Sequence, residues 1–503
     1  MHASRRAVLS AAVAGIGAAG LHRAEASQPV VPQRDQQLPT AHDSVVHAVR
    51  RLSFGLTPSL IAHVRDVGLN AWLDEQLAMT TDAAGDIAAA GTTTLPLPYL
   101  ATSMATTTAG RDAVHDLQVA TFARAAWGDA QVRELLVELW SNHLSIAADQ
   151  PDVAAHKVID DRDVIRKHAL GRFSDMLVAS AQSPAMLIYL DGAKSHGLHP
   201  NENYARELLE LHTVGVHAGY TARDVKDAAR ALTGLTVDSN TGEFAYRPEW
   251  HVPGRLRVLG WTNANTEPAR GLDVAISLLR YLAMHPATAR NIATKLVRRL
   301  VADAPPSSLV SSAARVYLAN ASAIPPVVRH IVDSREFAQS AGHKSQRPFD
   351  WATAAVRALQ LQPEPTLAVN GNGVHTLLAQ LGQVPFGWHP PNGYPDTAVA
   401  WASTATVLSR WNAAQALVNG GVAGIKPPDV DALVGTPVPA TAGGLVDRLV
   451  GRLLAVPVRA ALRTAVLRSA KLTRSHPVDQ ATVRALTPQL AALILSSPEA
   501  QVR

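Results

Sequence analysis

Three glutamates, an arginine and an asparagine fall within nine positions of one another in PNENYARELLELHTVGVHAG: Glu202, Asn203, Arg206, Glu207 and Glu210. At about 100° per residue on a helix these five share one polar arc. Tyr204, Ala205, Leu208, Leu209 and Leu211 cover the remainder, and His212 turns toward the apolar side. Carboxylates one turn apart suit two kinds of chemistry. Glu207 and Glu210 can work as a general acid and base, or offer hard oxygen ligands to a divalent metal ion. To span a glycosidic bond they would need a third acid such as Asp191, because two carboxylates on one helical turn lie too close together. The bland alternative is an i, i+4 ladder, Glu202, Arg206 and Glu210, which steadies a solvated helix by roughly 0.2–0.5 kcal/mol per pair. Cleft and solvated ladder both stand at this point.

Residues that would serve such a centre lie elsewhere in the chain. Arg162 and Arg166, four apart in DDRDVIRKHAL, share a helical face and could bind an anionic or sugar-like substrate together with Glu202, Asn203 and Arg206. Pairing with nearby acids is the commoner fate of such guanidiniums. Trp388 or Trp401 could supply a stacking wall. A metal- or cofactor-binding protein is the alternative use, with His143 and His251 joining the glutamates, although a hydrogen-bonded core or loop histidine is the commoner outcome.

The elements that must position these groups are mostly helices. Thr57-Pro58 reads as N-cap and first-turn proline, and Thr221 with Asp224 as a capping box. In DAQVRELLVELWSNHLSI the core arc is Val132, Leu135, Leu136, Leu139, Trp140 and Leu144, with Glu134 and Glu138 opposite. The next stretch predicts one long helix, a break at Ser183-Pro184 and a short buried helix ending near Asp191-Gly192. Asp82 to Thr108 is Ala/Thr/Gly-rich and predicts a loop. TVDSNTGEFAYRPEWHVPGRLRVLG predicts a two- or three-stranded excursion, and VPFGWHPPNGYPDTAVAW a structured aromatic loop leading into a helix from Thr404 to Val418. The expected fold is mainly α: a large multi-helical domain over 41–420 with a short β excursion and structured Pro/Gly/aromatic loops, then closing helices over 421–503.

Composition narrows the function classes. Hydrophobic residues make up 47%, charged residues 17% and aromatics 5%, which suits close helix packing. There is no cysteine, so disulfides, thiolate metal sites and cysteine nucleophiles are excluded. The N-terminus reads SRRAVLSAAVAGIGAAGLHRAEA, with Arg5-Arg6, an apolar run from Ala7 to Leu21 and a small-x-small site at Ala24-Glu25-Ala26. This predicts a twin-arginine signal peptide over 1–26 and a linker over 27–40, hence an extracytoplasmic protein, secreted, periplasmic or cell-wall associated. Loss of three arginines and one glutamate with the leader takes the net charge from +5 to +3. With no basic stripe, nucleic acid is not an expected partner, and no stable membrane span is expected after the leader is removed.

The ordered blocks RRLSFGLTP, LWSNHLSI, DRDVIRKHALGRFSDML, SPAMLIYLD, NENYARELLELHTVGV, YTARDVKDAARALTG, HPATARNIATKLVRRLV, DSREF, LGQVPFGWHPPNGYP, SRWN and LSSPEAQVR resemble the bacterial domain of unknown function 1800 family from about His47 to the C-terminus. The resemblance implies a large, mostly helical exported protein, with relatives often encoded beside a sulfatase-like protein that becomes a candidate partner. It supplies no activity. Relatives commonly carry an aromatic residue at the position of His212, which suits a core site, and a His-Asp pair where this chain has His251-Val252. The expectation is therefore a secreted hydrolase-like enzyme using the Glu/Arg face, against a metal- or cofactor-binding protein or a non-enzymatic partner of the sulfatase-like protein.

Overall fold

Local caps decide where the helices begin. Thr57 Oγ1 accepts the Leu60 amide at 3.1 Å, just ahead of Pro58. Asn201 Oδ1 accepts the Tyr204 amide at 3.0 Å, and Thr221 and Asp224 cap one another reciprocally. Each such cap contributes about 1 kcal/mol by satisfying an amide that the helix leaves free. The computed structural model describes residues 43–90, 107–197, 199–364 and 372–503. The expected leader and linker, residues 1–26 and 27–40, lie outside the described residues.

The described chain is mainly α. Among the inward-facing side chains, Trp72, Phe122, Trp140, Phe173, Tyr317 and Trp351 are fully buried, and burial of each large apolar group stabilises the fold by roughly 1.5–3 kcal/mol. Trp140 packs on Phe173 at 5.8 Å between ring centres, and Phe54 meets Phe349 edge-on at 5.6 Å. The helix Pro286–Leu300 lies against Ser307–Ala319, and Thr404–Val418 against Gln480–Leu495, which also packs on Ala442–Leu454. The closing helices thus share a core with the rest. Among the described residues no helix is long and apolar enough to cross a membrane.

Several local expectations change. The β excursion is two separate antiparallel hairpins, β1 (Leu235–Val237) with β2 (Phe244–Tyr246) and β3 (Leu256–Val258) with β4 (Trp261–Asn263). The stretch read as a loop contains a helix, Ala83–Ala90; residues 91–106 lie outside the described set. Asp82 organises it, accepting the amides of Gly85 at 2.9 Å and Ala130 at 3.0 Å. The expected long helix past Asp160 instead widens into a π turn, Asp161–Arg166, and yields at Phe173 to a new helix. Glu134 and Glu138 do not face away from the core, because the helix Gln131–His143 is enclosed on its polar side by arginines of other elements.

Those arginines belong to a buried ionic centre. Arg299 grips Asp350 through two 2.8 Å bonds, Arg347 reaches Asp350 at 3.1 Å and Glu138 at 2.5 Å, and Lys344 bonds Asp303 at 2.7 Å and meets Asp396 at 3.0 Å. Arg503 adds a bond from its guanidinium to the Arg299 carbonyl at 3.1 Å. Burial alone would raise the Asp350 carboxyl, but Arg299 and Arg347 outweigh it and hold it well below the usual carboxylate range.

Removing one member strands a charge in low dielectric. Asp350→Ala is expected to lower unfolding free energy by about 3–5 kcal/mol, and Arg299→Met together with Asp350→Leu by clearly less. Urea denaturation of the three proteins measures this; a single-variant loss below about 1 kcal/mol, the range of an exposed pair, would contradict the buried-network account.

Candidate functional site

The polar arc begins on the helix Glu202–Glu207 and continues through a π turn, Leu208–His212. Residues five apart come into register in such a turn, and Thr213 Oγ1 accordingly bonds the Leu208 carbonyl at 2.6 Å. The turn ends where its carbonyls are taken by other groups. His143 Nε2 donates to the His212 carbonyl at 3.0 Å and Asn291 Nδ2 to that of Thr213 at 2.8 Å. Gly215 then reverses the chain at φ 89°, a conformation that favours glycine.

Glu202, Asn203 and Arg206 are exposed, whereas Glu207 and Glu210 are half-buried. Their surroundings differ. Glu210 accepts a short hydrogen bond from the Tyr220 hydroxyl and lies 3.7 Å from the Arg206 guanidinium. Burial and the neighbouring Glu210 push the Glu207 carboxyl above its ordinary value, with Arg206 only partly opposing them. Burial, the Glu210 hydrogen bond and its charge push the Tyr220 hydroxyl up to about 12. Tyr189 is likewise pushed up to about 12, by burial and then by Glu207 and Asp149. Its hydroxyl donates to the His389 carbonyl at 2.6 Å, and His389 Nδ1 lies 3.2 Å from Asp149. Asp149, Tyr189, Tyr220 and His389 thus join the carboxylate face.

The other expected site residues lie in different settings. Asp191 is exposed at φ 57° and pairs with Lys194 at 3.0 Å. The π turn separates Arg162 from Arg166. Arg166 swings onto Asp161, five residues back, at 2.6 Å and onto Glu134 at 2.7 Å, while Arg162 stays exposed against Asp163 at 2.7 Å. His251 has both nitrogens engaged, by the Thr233 carbonyl at 2.9 Å and Asn265 Oδ1 at 2.8 Å. Among the described residues no three His, Asp or Glu side chains converge as metal ligands.

His143 and Trp388 open onto something the sequence analysis missed. A half-enclosed cavity of about 280 Å³ lies between the helix Pro286–Leu300 and the aromatic loop, lined by Asn142, His143, Lys295, Arg298, Trp388 and Tyr394 among others. The loop is fastened there by the Tyr394 amide, which donates to Asn142 Oδ1 at 3.0 Å, and by Lys344, which donates to the Asp396 carbonyl at 2.9 Å. Only glycine fits at 393, where φ is 70° and a Cβ would come within 2.1 Å of the Asn142 carbonyl oxygen. Trp388 sits 5.0 Å from Tyr394 and donates to Asn392 at 2.9 Å. Because the His212 carbonyl can only accept, His143 carries its proton on Nε2. Its Nδ1 is buried without a hydrogen-bond partner.

The model of a family described as a protein of unknown function (DUF1800) matches residues 47–502. The chain belongs to that family. No curated protein and no solved structure matches it.

The raised Glu207 has a consequence for stability. A carboxyl raised in the folded state adds no penalty below its unfolded value of about 4.3, and weakens the fold as pH climbs through the higher folded value. Glu207→Gln is therefore expected to match the parent melting temperature near pH 4 and exceed it at pH 7–8. An equal difference at both pH values, or a lower melting temperature at pH 8, would contradict the assignment.

Proposed function

We propose that this DUF1800 family member is an exported, hydrolase-like enzyme whose acid/base pair is Glu207 and Glu210. The observation that carries the reading is their unequal setting: one carboxyl is raised by burial and a like charge, the other held by a tyrosine hydroxyl and an arginine. A raised carboxyl beside a second, hydrogen-bonded one can divide the two proton transfers of a hydrolysis with it. Glu207 gives its proton to the leaving group as that bond breaks. Glu210 takes a proton from the water whose oxygen bonds to the substrate. Arg206 stands where an anionic substrate group would be met. The Arg5-Arg6 pair, the apolar run from Ala7 to Leu21 and the small-x-small site at Ala24-Glu25-Ala26 support the extracytoplasmic setting.

A second reading, a partner protein for a co-exported sulfatase-like protein, is favoured by a different surface. Val399, Val407, Leu408 and Trp411 are exposed, and residues 397–409 contain no charged side chain. An uncharged, apolar surface of this kind suits a protein contact.

A panel of chromogenic carboxylic esters and sulfate esters tests the enzyme reading. Turnover of at least one class is expected, falling about 10²-fold or more in Glu207→Gln and in Glu210→Gln and unchanged in exposed Glu267→Gln. Inactivity across the panel, or turnover indifferent to both substitutions, would sink it. Co-elution with the sulfatase-like protein, abolished by Leu408→Glu with Trp411→Glu, would favour the second reading.

A further inference from the structure

Lys295, half-buried on the helix Pro286–Leu300, has no partner among the described residues to answer its charge. Thr288, Ile292, Lys295 and Arg299 follow one another at helical spacing along Pro286–Leu300, so Lys295 lies on the inward stripe of that helix. Arg299, one turn on, has Asp350. Lys295 has no hydrogen bond or ion pair to any described residue, and it lines the cavity. Arg298 beside it bonds only a backbone carbonyl, that of Asp303 at 3.2 Å.

The rest of the wall does not supply the missing anion. Arg347 spends its charge on Glu138 and Asp350. Asp396, the carboxylate on the wall, is already met by Lys344 at 3.0 Å, Arg347 at 3.7 Å and Arg299 at 3.8 Å. His143 and His212, the other titratable groups near Lys295, are neutral, because burial and the nearby Lys295 press both imidazoles down, His212 to about 3. Two cations therefore face the cavity unopposed, next to an aromatic wall of Trp388 and Tyr394. A ligand that completes this arrangement carries negative charge at one end and a flat body at the other. The volume of about 280 Å³, against about 30 Å³ for a water in the liquid, admits a single substituted ring.

We infer that the cavity between Pro286–Leu300 and the 388–397 loop is a binding site for a small ring-shaped molecule bearing an oxyanion, held by Lys295 and Arg298 and stacked on Trp388 and Tyr394. This goes beyond the acid/base reading of Glu207 and Glu210, and its test reads binding without turnover. Burial and then Arg298 push the Lys295 ammonium down to about 8. An arriving anion reverses that shift, so binding near pH 8 draws in a proton.

Calorimetric titration of the folded chain with glucuronate, benzoate, glucose and inorganic sulfate, in buffers of different ionisation enthalpy, tests the inference. At least one of the two ring anions is expected to bind one site per chain at least tenfold more tightly than glucose or sulfate, with proton uptake at pH 8 that vanishes at pH 6. Lys295→Met and Arg298→Met are each expected to weaken it tenfold or more while the melting temperature confirms folding. Trp388→Ala, on the opposite wall, should do the same. Failure of both ring anions to bind, glucose or sulfate binding as tightly as they do, or affinity unchanged in both cation variants would overturn it.

Discussion

The bidentate bond between Arg299 and Asp350 is the constraint on which the centre of this protein turns. Each charge would be costly to bury alone, and each is tolerable because the other fixes it in two parallel hydrogen bonds. From that pair the network runs through Arg347 to Glu138 on the helix Gln131–His143, and through Arg299 and Arg347 to Asp396 in the aromatic loop. Lys344 then ties that loop to Asp303. Chain segments that are remote in sequence are thereby held in one geometry. The loop in turn closes one side of a cavity, and Lys295 on the facing helix is left outside the pairing.

The carboxylate face depends on the same loop from the other direction. Tyr189 senses the Glu207 charge and donates to the His389 carbonyl, so one side chain couples the acid-bearing helix electrostatically to the loop that lines the cavity. The π turn after Glu207 does related work. It carries the His212 carbonyl to His143, a member of the cavity wall, while Glu210 goes to Tyr220. Widened turns of this kind recur at functional sites because they redirect side chains that a regular helix would keep in line.

Much of the local structure was legible in the residues. The caps at Thr57 and Thr221 form where their types and spacing place them, and His212 is buried as its place on the helical wheel requires. The polar arc survives as a face, with Glu202, Asn203 and Arg206 exposed and Glu207 and Glu210 half-buried. What a single sequence could not show was partnership at long range. Glu138, Arg299 and Asp350 are ordinary charged residues until the fold brings them together, and Glu134, opposite the apolar arc of its own helix, gives no sign of the Arg166 that covers it. A uniform 100° step cannot anticipate a π turn, so it aligned Arg162 and Arg166 when Arg166 in fact lines up with Asp161. One signal for the cavity was present: a lysine at 295 on an otherwise inward stripe, in a chain with eight lysines.

That residue gives the most direct measurement of the whole arrangement. If the ionic centre is paired as described and Lys295 sits half-buried in the cavity wall without a counter-charge, its ammonium deprotonates far more readily than an ordinary lysine. Carbon-13 NMR of lysine-labelled protein across pH 6–11 should show a side-chain resonance titrating near 8 that disappears in Lys295→Arg. If the Lys295 resonance instead titrates at about 10.4, the ordinary lysine value, the account of an unpaired cation in the cavity is wrong.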